Sequence, residues 1–258
     1  MVPNLDKIPG ILGRIARNRF KAVTRHSFEK AIEVPAVPSF TAALAAPGLT
    51  LIAEIKRKSP SKGEIANLSA VTTAQAYARG GAGAISVLTE PDFFGGSEED
   101  LRTVSQAVEL PVLRKDFIVH PSQIWEARAL GASAVLLIVA VLGGLTEAYL
   151  EEAKKAGIDA LVEVHNYVEL DLAINSGARI IGINNRDLLS LKIDINRAPE
   201  LAREARAVGF NGFLVAESGY YFPEELASIS RIFDAVLVGS SLAAEVDQEA
   251  AVRRLLGR

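Results

Sequence analysis

Glu54 and Lys56 stand two residues apart in the stretch Leu51 to Gly63, LIAEIKRKSPSKG, where the alternation of an extended chain puts Ile52, Glu54 and Lys56 on one face of an otherwise apolar strand. A carboxylate and an ammonium on a buried face are costly unless they are paired, hydrogen-bonded or held for a ligand. The basic, hydroxyl-rich turn that follows, Arg57 to Gly63, ends the strand and could meet an anion. Further along, PVLRKDF places Arg114 or Lys115 on an inward face, and ALVEVH puts Glu163 on the face of Leu161. GINNRDL gives Gly182, Asn184 and Arg186 one face, and FLVAE ends in Glu217. Taken singly, these residues read as a snorkelling lysine or as ion pairs holding loops. Their recurrence at the ends of five apolar runs is the pattern of one site with perturbed pKa values, suited to proton transfer.

A second kind of chemistry is written in AESGYY and VLVGSSLAAE, where Ser218, Gly219, Gly239 and Ser240 fall just past a strand and the second segment runs into a short helical stretch. Backbone N–H groups in such a place bind phosphate. The alternative is that the glycines only serve tight turns. His165 reads as a cap for the helix after it, His120 precedes Pro121 at a helix start, and His26 lies near the N-terminus. No histidine pair has metal-ligand spacing, the carboxylates are scattered, and no dinucleotide loop follows a strand. Neither a metal nor an organic cofactor is therefore expected.

The elements that must carry these residues repeat from Thr50 onward as apolar run, polar loop, amphipathic helix and glycine. Eight strands are predicted over Thr50 to Lys56, Ala84 to Leu88, Val112 to Lys115, Ala134 to Val139, Ala160 to Val164, Ile180 to Asn184, Phe213 to Glu217 and Ala235 to Val238. Helices are predicted between them and after the last, with Gly81, Gly131, Gly157, Gly177 and Gly209 where helices should end. Such alternation of apolar strands with helices argues an α/β fold, a (β/α)8 TIM barrel, over a doubly wound sheet. In that fold, function belongs at the C-terminal ends of the strands, where the unusual residues collect. The expected organisation is a single barrel domain over residues 1–258, with residues 1–47 as a helical N-terminal extension packed on it. That extension should hold a helix around Ile8 to Ile15, capped by Asp6 with Pro9 in its first turn, and a short one over Ser39 to Ala45.

With 49% hydrophobic residues over 258 positions, the chain can bury a large core, and a net charge of -3 suggests neither a nucleic-acid nor an anionic-membrane surface. The absence of cysteine excludes disulfides and thiol chemistry. The N-terminus lacks the apolar segment of a secretory signal, and Ala134 to Leu145 is too short an apolar run to cross a membrane, so a cytoplasmic location is expected.

Together the motifs IAEIKRKSPSKG, SVLTEPDFFGGS, LPVLRKDFIV, ALVEVH, GINNRDL, VAESG and VLVGSSL resemble the indole-3-glycerol phosphate synthase family of tryptophan biosynthesis over nearly the whole length. The resemblance implies a lyase. It would close the ring of 1-(2-carboxyphenylamino)-1-deoxyribulose 5-phosphate and release carbon dioxide and water, with that small phosphorylated molecule as its one implied partner and protein partners left open. It further implies Lys115 as general acid, Glu163 in the dehydration, Glu54 and Lys56 as a second acid–base pair, and Asn184 and Glu217 as positioning groups. Arg186 and Ser59 would meet the carboxylate. Ser218, Gly219, Gly239 and Ser240 would hold the phosphate with Lys58 reaching in, and Phe94, Phe117 and Leu136 would wall the anthranilate ring. Two other readings stay open: a Schiff-base aldolase with Lys115 as nucleophile, and a barrel that binds a phosphorylated metabolite without turning it over.

Overall fold

The computed structural model describes residues 5–23, 36–188 and 190–258. Parallel strands Thr50–Ile55 (β1), Ala84–Leu88 (β2), Val112–Lys115 (β3), Ala134–Ile138 (β4), Asp159–Val164 (β5), Ile180–Asn184 (β6), Phe213–Glu217 (β7) and Ala235–Val238 (β8) pair in sequence order, and β8 closes on β1. Each observed strand matches its predicted run to within a residue at either end. Their apolar sequences are buried on both faces, as in AVLLI of β4 and AVLV of β8, because side chains fill the barrel on one face and helices cover the other.

The helices follow from local chemistry. Ser69, Ser97, Asn166 and Asp247 each accept a backbone N–H from the first turn of the helix they precede, which satisfies one of the donors a helix start leaves free. Gly81 and Gly157 end their helices at φ 103° and 72°, in the left-handed region that a residue without Cβ enters freely.

Three features lie outside the regular pattern. Lys58–Ser59 and Gly63–Glu64 form a small antiparallel hairpin inside the basic turn after β1. The short helix Pro91–Phe94 is started by Glu90, whose carboxylate accepts the N–H groups of Asp92, Phe93 and Phe94 at 3.1, 2.7 and 3.1 Å. The N-terminal helix spans Gly10–Val23 and starts later than expected, with Asp6 in a separate 3-10 turn over Leu5–Lys7 instead of capping it. The chain turns at Gly10, whose φ of 66° lies outside the right-handed helical region, and Arg17 donates to the carbonyls of Leu5 and Ile8 before the turn. The predicted short helix appears as Phe40–Leu44, capped by Ser39. His26 and the rest of residues 24–35 lie outside the described residues.

Leu12 and Ala16 of the N-terminal helix join the same apolar cluster as the barrel residues. The helix is also tied by charge, because Arg19 donates to Asp116 at 2.6 Å, just past β3. No helix among the described residues is long and apolar enough to cross a membrane.

Candidate active site

Alternation along β3 separates two neighbouring cations. Arg114 faces the helices and is wholly buried, donating to Thr89, to the Gln123 carbonyl and to the carboxylates of Glu126, Glu98 and Asp116. Lys115 therefore points into the barrel mouth, which settles what PVLRKDF alone leaves open. Its ammonium lies 3.3 Å from Glu217, 3.5 Å from Glu163 and 3.9 Å from Glu54, three carboxylates delivered by β7, β5 and β1. Lys56 meets Glu54 at 2.5 Å and is the more exposed member of that pair.

These neighbours set the protonation states. Burial alone would depress the Lys115 amine, but Glu217, Glu163 and Glu54 outweigh it and hold the amine above the ordinary lysine range. Burial works against the charge on Glu163 too; Lys115, His165 and Asn184 overcome it and keep that carboxyl well below the usual carboxylate range. Glu54 is likewise held low against burial by Lys56 and Lys115. Glu217 goes the other way. Burial, reinforced by Glu163 and Glu54 against the pull of Lys115, pushes it up to about 8. Neither of its oxygens has an aligned hydrogen-bond partner, Lys115 being close but off-axis. The site thus combines a charged acid, ionised bases and one carboxyl poised to carry a proton at neutral pH.

Glu217 fits only because β6 offers no side chain beneath it: a Cβ on Gly182 would lie 2.1 Å from Glu217 Oε1. Gly239 does the same for Glu54, where a Cβ would lie 2.5 Å from Oε1. This glycine too leaves room for a carboxylate.

The residues above sit where two lobes of one cleft meet. The larger lobe, about 860 Å³, is walled by Phe94, Phe117, Leu136 and Leu188 and roofed by Ile11, Leu12 and Ile15 of the N-terminal helix. Phe94 and Phe117 stand 6.0 Å apart, centroid to centroid. The smaller lobe, about 440 Å³, is bounded by Ser218, Gly219, Gly239 and Ser240, and here the helix Ser240–Ala243 begins. Glu54, Lys56, Lys115 and Arg186 border both lobes.

Asn184, Arg186 and Ser59 also line the cleft. Arg186 donates to the Leu191 carbonyl at 3.0 Å and approaches Ser61 at 3.4 Å. Lys58 is not among the lining residues. Its ammonium donates to the Asp92 carbonyl at 2.6 Å, and Arg57 is engaged by Asp100, so the basic turn spends these charges on the neighbouring loop.

His165 does something other than cap a helix. Asn166 is the cap, while His165 spans two carboxylates: Nδ1 is 2.9 Å from Glu169 and Nε2 is 3.2 Å from Glu163. Burial would lower its pKa, yet Glu163 and Glu169 raise it to about 9. The spacing Glu163, His165, Glu169 was visible as a signal, since residues i and i+4 across a helix start come together. Among the described residues no cluster of histidine or carboxylate side chains has the arrangement of a metal site.

A family model described as indole-3-glycerol phosphate synthase matches residues 13–255. A protein of that name from Deinococcus radiodurans is 51% identical over 269 residues, spanning 99% of this chain and 98% of its own. Those from Methanopyrus kandleri and Aquifex aeolicus are 42% and 43% identical, each over 84% of this chain and over 87% and 85% of their own. Among solved structures, thiamine phosphate pyrophosphorylase from Pyrococcus furiosus superposes with a TM-score of 0.60 at 16% identity, over 81% of this chain and 94% of that one, a likeness of fold alone. With the family model matched from residue 13 to residue 255 and relatives of this similarity over nearly full length, the chain belongs to the indole-3-glycerol phosphate synthase family.

Proposed function

We propose that the chain closes the indole ring of 1-(2-carboxyphenylamino)-1-deoxyribulose 5-phosphate and releases carbon dioxide and water, in tryptophan biosynthesis. The observation that carries this reading is the two-lobed cleft, in which an apolar lobe suits the anthranilate ring, an amide-bordered lobe suits the phosphate, and Lys115 with its three carboxylates lies between them.

In this reading the charged Lys115 gives a proton to the ketone oxygen as the aromatic carbon attacks. Carbon dioxide then leaves with the ring's aromaticity restored. Dehydration removes the new hydroxyl as water and a proton from the adjacent carbon, and the ionised Glu163 is the base for that proton. The pair Glu54 and Lys56 supplies the remaining transfer to the departing hydroxyl. Because the carboxylate leaves as neutral carbon dioxide, one proton is taken up from solvent per turnover. Asn184 and Glu217 position the sugar hydroxyls, and Arg186 with Ser59 faces the substrate carboxylate. Phosphate sits on the backbone of Ser218, Gly219, Gly239 and Ser240. Imine formation is disfavoured, since a nucleophilic lysine needs a lowered pKa and the environment of Lys115 raises it. The reading places the reaction in the cytosol, on a small phosphorylated substrate, with no part for nucleic acid or membrane.

The test is incubation with the carboxyphenylamino-ribulose phosphate while indole fluorescence is followed. Multiple turnovers are expected. Saturable binding of that substrate without fluorescence would instead make the chain a metabolite-binding barrel.

A further inference from the structure

Ser218 has φ 68°, one of two residues other than glycine with positive φ among the described residues. A side chain with Cβ adopts that conformation only where its surroundings impose it. Asn185 is the neighbour that does so. It is fully buried and borders neither lobe of the cleft. Its Oδ1 accepts the Ala198 N–H at 2.9 Å, which fixes which end of the amide is which. The Nδ2 group then donates to the Ser218 carbonyl at 2.9 Å and to the Tyr220 hydroxyl at 3.2 Å. Its own backbone N–H donates to the Glu217 carbonyl at 3.0 Å, so the side chain is anchored on the same strand end it controls. The Tyr220 carbonyl in turn accepts from Ser241, in the short helix after β8.

We propose that Asn185 is the positioning residue of the anion lobe, holding the Ser218 carbonyl away from the cleft and so presenting the Gly219 N–H to the phosphate. The reason is planar geometry: in a trans peptide the C=O and the N–H point opposite ways, so a carbonyl bound to Asn185 on the wall side turns its amide hydrogen to the other side. A free Ser218–Gly219 peptide could rotate and offer the anion a carbonyl oxygen instead. This inference rests on the phosphate placement proposed above.

The experiment compares the wild type with Asn185→Asp, which keeps the acceptor for Ala198 and loses the donor to Ser218. Competitive inhibition is measured with two probes, inorganic phosphate and anthranilate, the second lacking phosphate. In the variant the inhibition constant for phosphate should rise about tenfold or more, as expected for a misdirected hydrogen bond to an anion, while that for anthranilate changes less than twofold. KM should rise with it, and kcat should fall far less than kcat/KM. Asn185→Ser, which loses the reach to Ser218 without burying a new charge, serves the same comparison if the aspartate variant does not fold. A wild type indifferent to phosphate would overturn the phosphate placement and this inference together. A phosphate-sensitive wild type whose variant is equally sensitive, or loses both probes in parallel, would overturn the inference alone.

Discussion

Gly182→Ala should disable the enzyme through Glu217. A Cβ at this position would stand 2.1 Å from Glu217 Oε1 and 3.1 Å from Leu161 Cδ1, where contacts under 3.0 Å are essentially never seen. The carboxyl must therefore retreat by about 1 Å, out of its place beside Lys115. Displacements of that size in a catalytic constellation can cost on the order of 100-fold, so kcat/KM should fall roughly 100-fold. The crowding itself is an overpacking of the barrel interior, worth about 1–3 kcal/mol. At roughly 2–4 °C per kcal/mol for a domain of this size, Tm should drop by roughly 2–12 °C, and the variant should still fold. Backbone strain plays no part, since Gly182 is not among the glycines of positive φ. The assay is indole fluorescence for kcat/KM beside thermal melts followed by circular dichroism. Shortening the opposed side chain with Glu217→Asp removes the collision, so the two changes together should lose less than the product of their separate effects. Wild-type kcat/KM in folded Gly182→Ala, or strict multiplicativity in the double variant, would refute the steric reasoning.

Lys115→Met should lower kcat by about 10²–10⁴-fold, the share general acid catalysis typically supplies, with a much smaller change in KM; steady-state kinetics showing near-normal kcat in a folded variant would remove Lys115 from that role. Stability should fall as pH rises from 6.5 to 9, because His165, raised to about 9, contributes fully below 6.5 and loses that contribution through 9, while Glu217, raised from 4.5 to about 8, costs stability up to about 8, where the unfolded carboxyl has ionised and the folded one still holds its proton. The histidine's share is at most about 3.5 kcal/mol, at about 1.4 kcal/mol per pH unit, and thermal melts of Glu217→Gln should show a shallower decline than wild type; parallel curves would contradict the assignment.

Most of the scaffold could be read from the chain because its signals are local. Apolar runs of five residues, serine or asparagine before helices and glycine after them each act within a few residues, and the strands fall where those signals place them. The convergence of Glu54, Lys115, Glu163 and Glu217 was legible for the same reason, since strand ends in a closed barrel share one rim. What escaped depends on partners distant in sequence. Nothing near Lys58 announces that the Asp92 carbonyl will claim it. Asn185 looks like a duplicate of Asn184, and only the fold shows one facing the cleft and the other buried under the turn after β7. The room that Gly182 and Gly239 leave for carboxylates is likewise a property of facing strands.

The buried guanidinium of Arg114 has a consequence for folding fidelity. β3 is only four residues long and ends in two adjacent cations, so a slip of one residue would turn the lysine outward and the arginine into the cleft. A short apolar strand has little else to oppose such a slip, because Val112 and Leu113 are of similar size and would exchange faces at modest cost. Arg114 makes the two alignments unequal. In the native one its fork finds Thr89, the Gln123 carbonyl, Glu126, Glu98 and Asp116; in the slipped one those groups would face a lysine without the planar geometry to bind them all. An arginine that never meets substrate thus selects which of two cations the cleft receives.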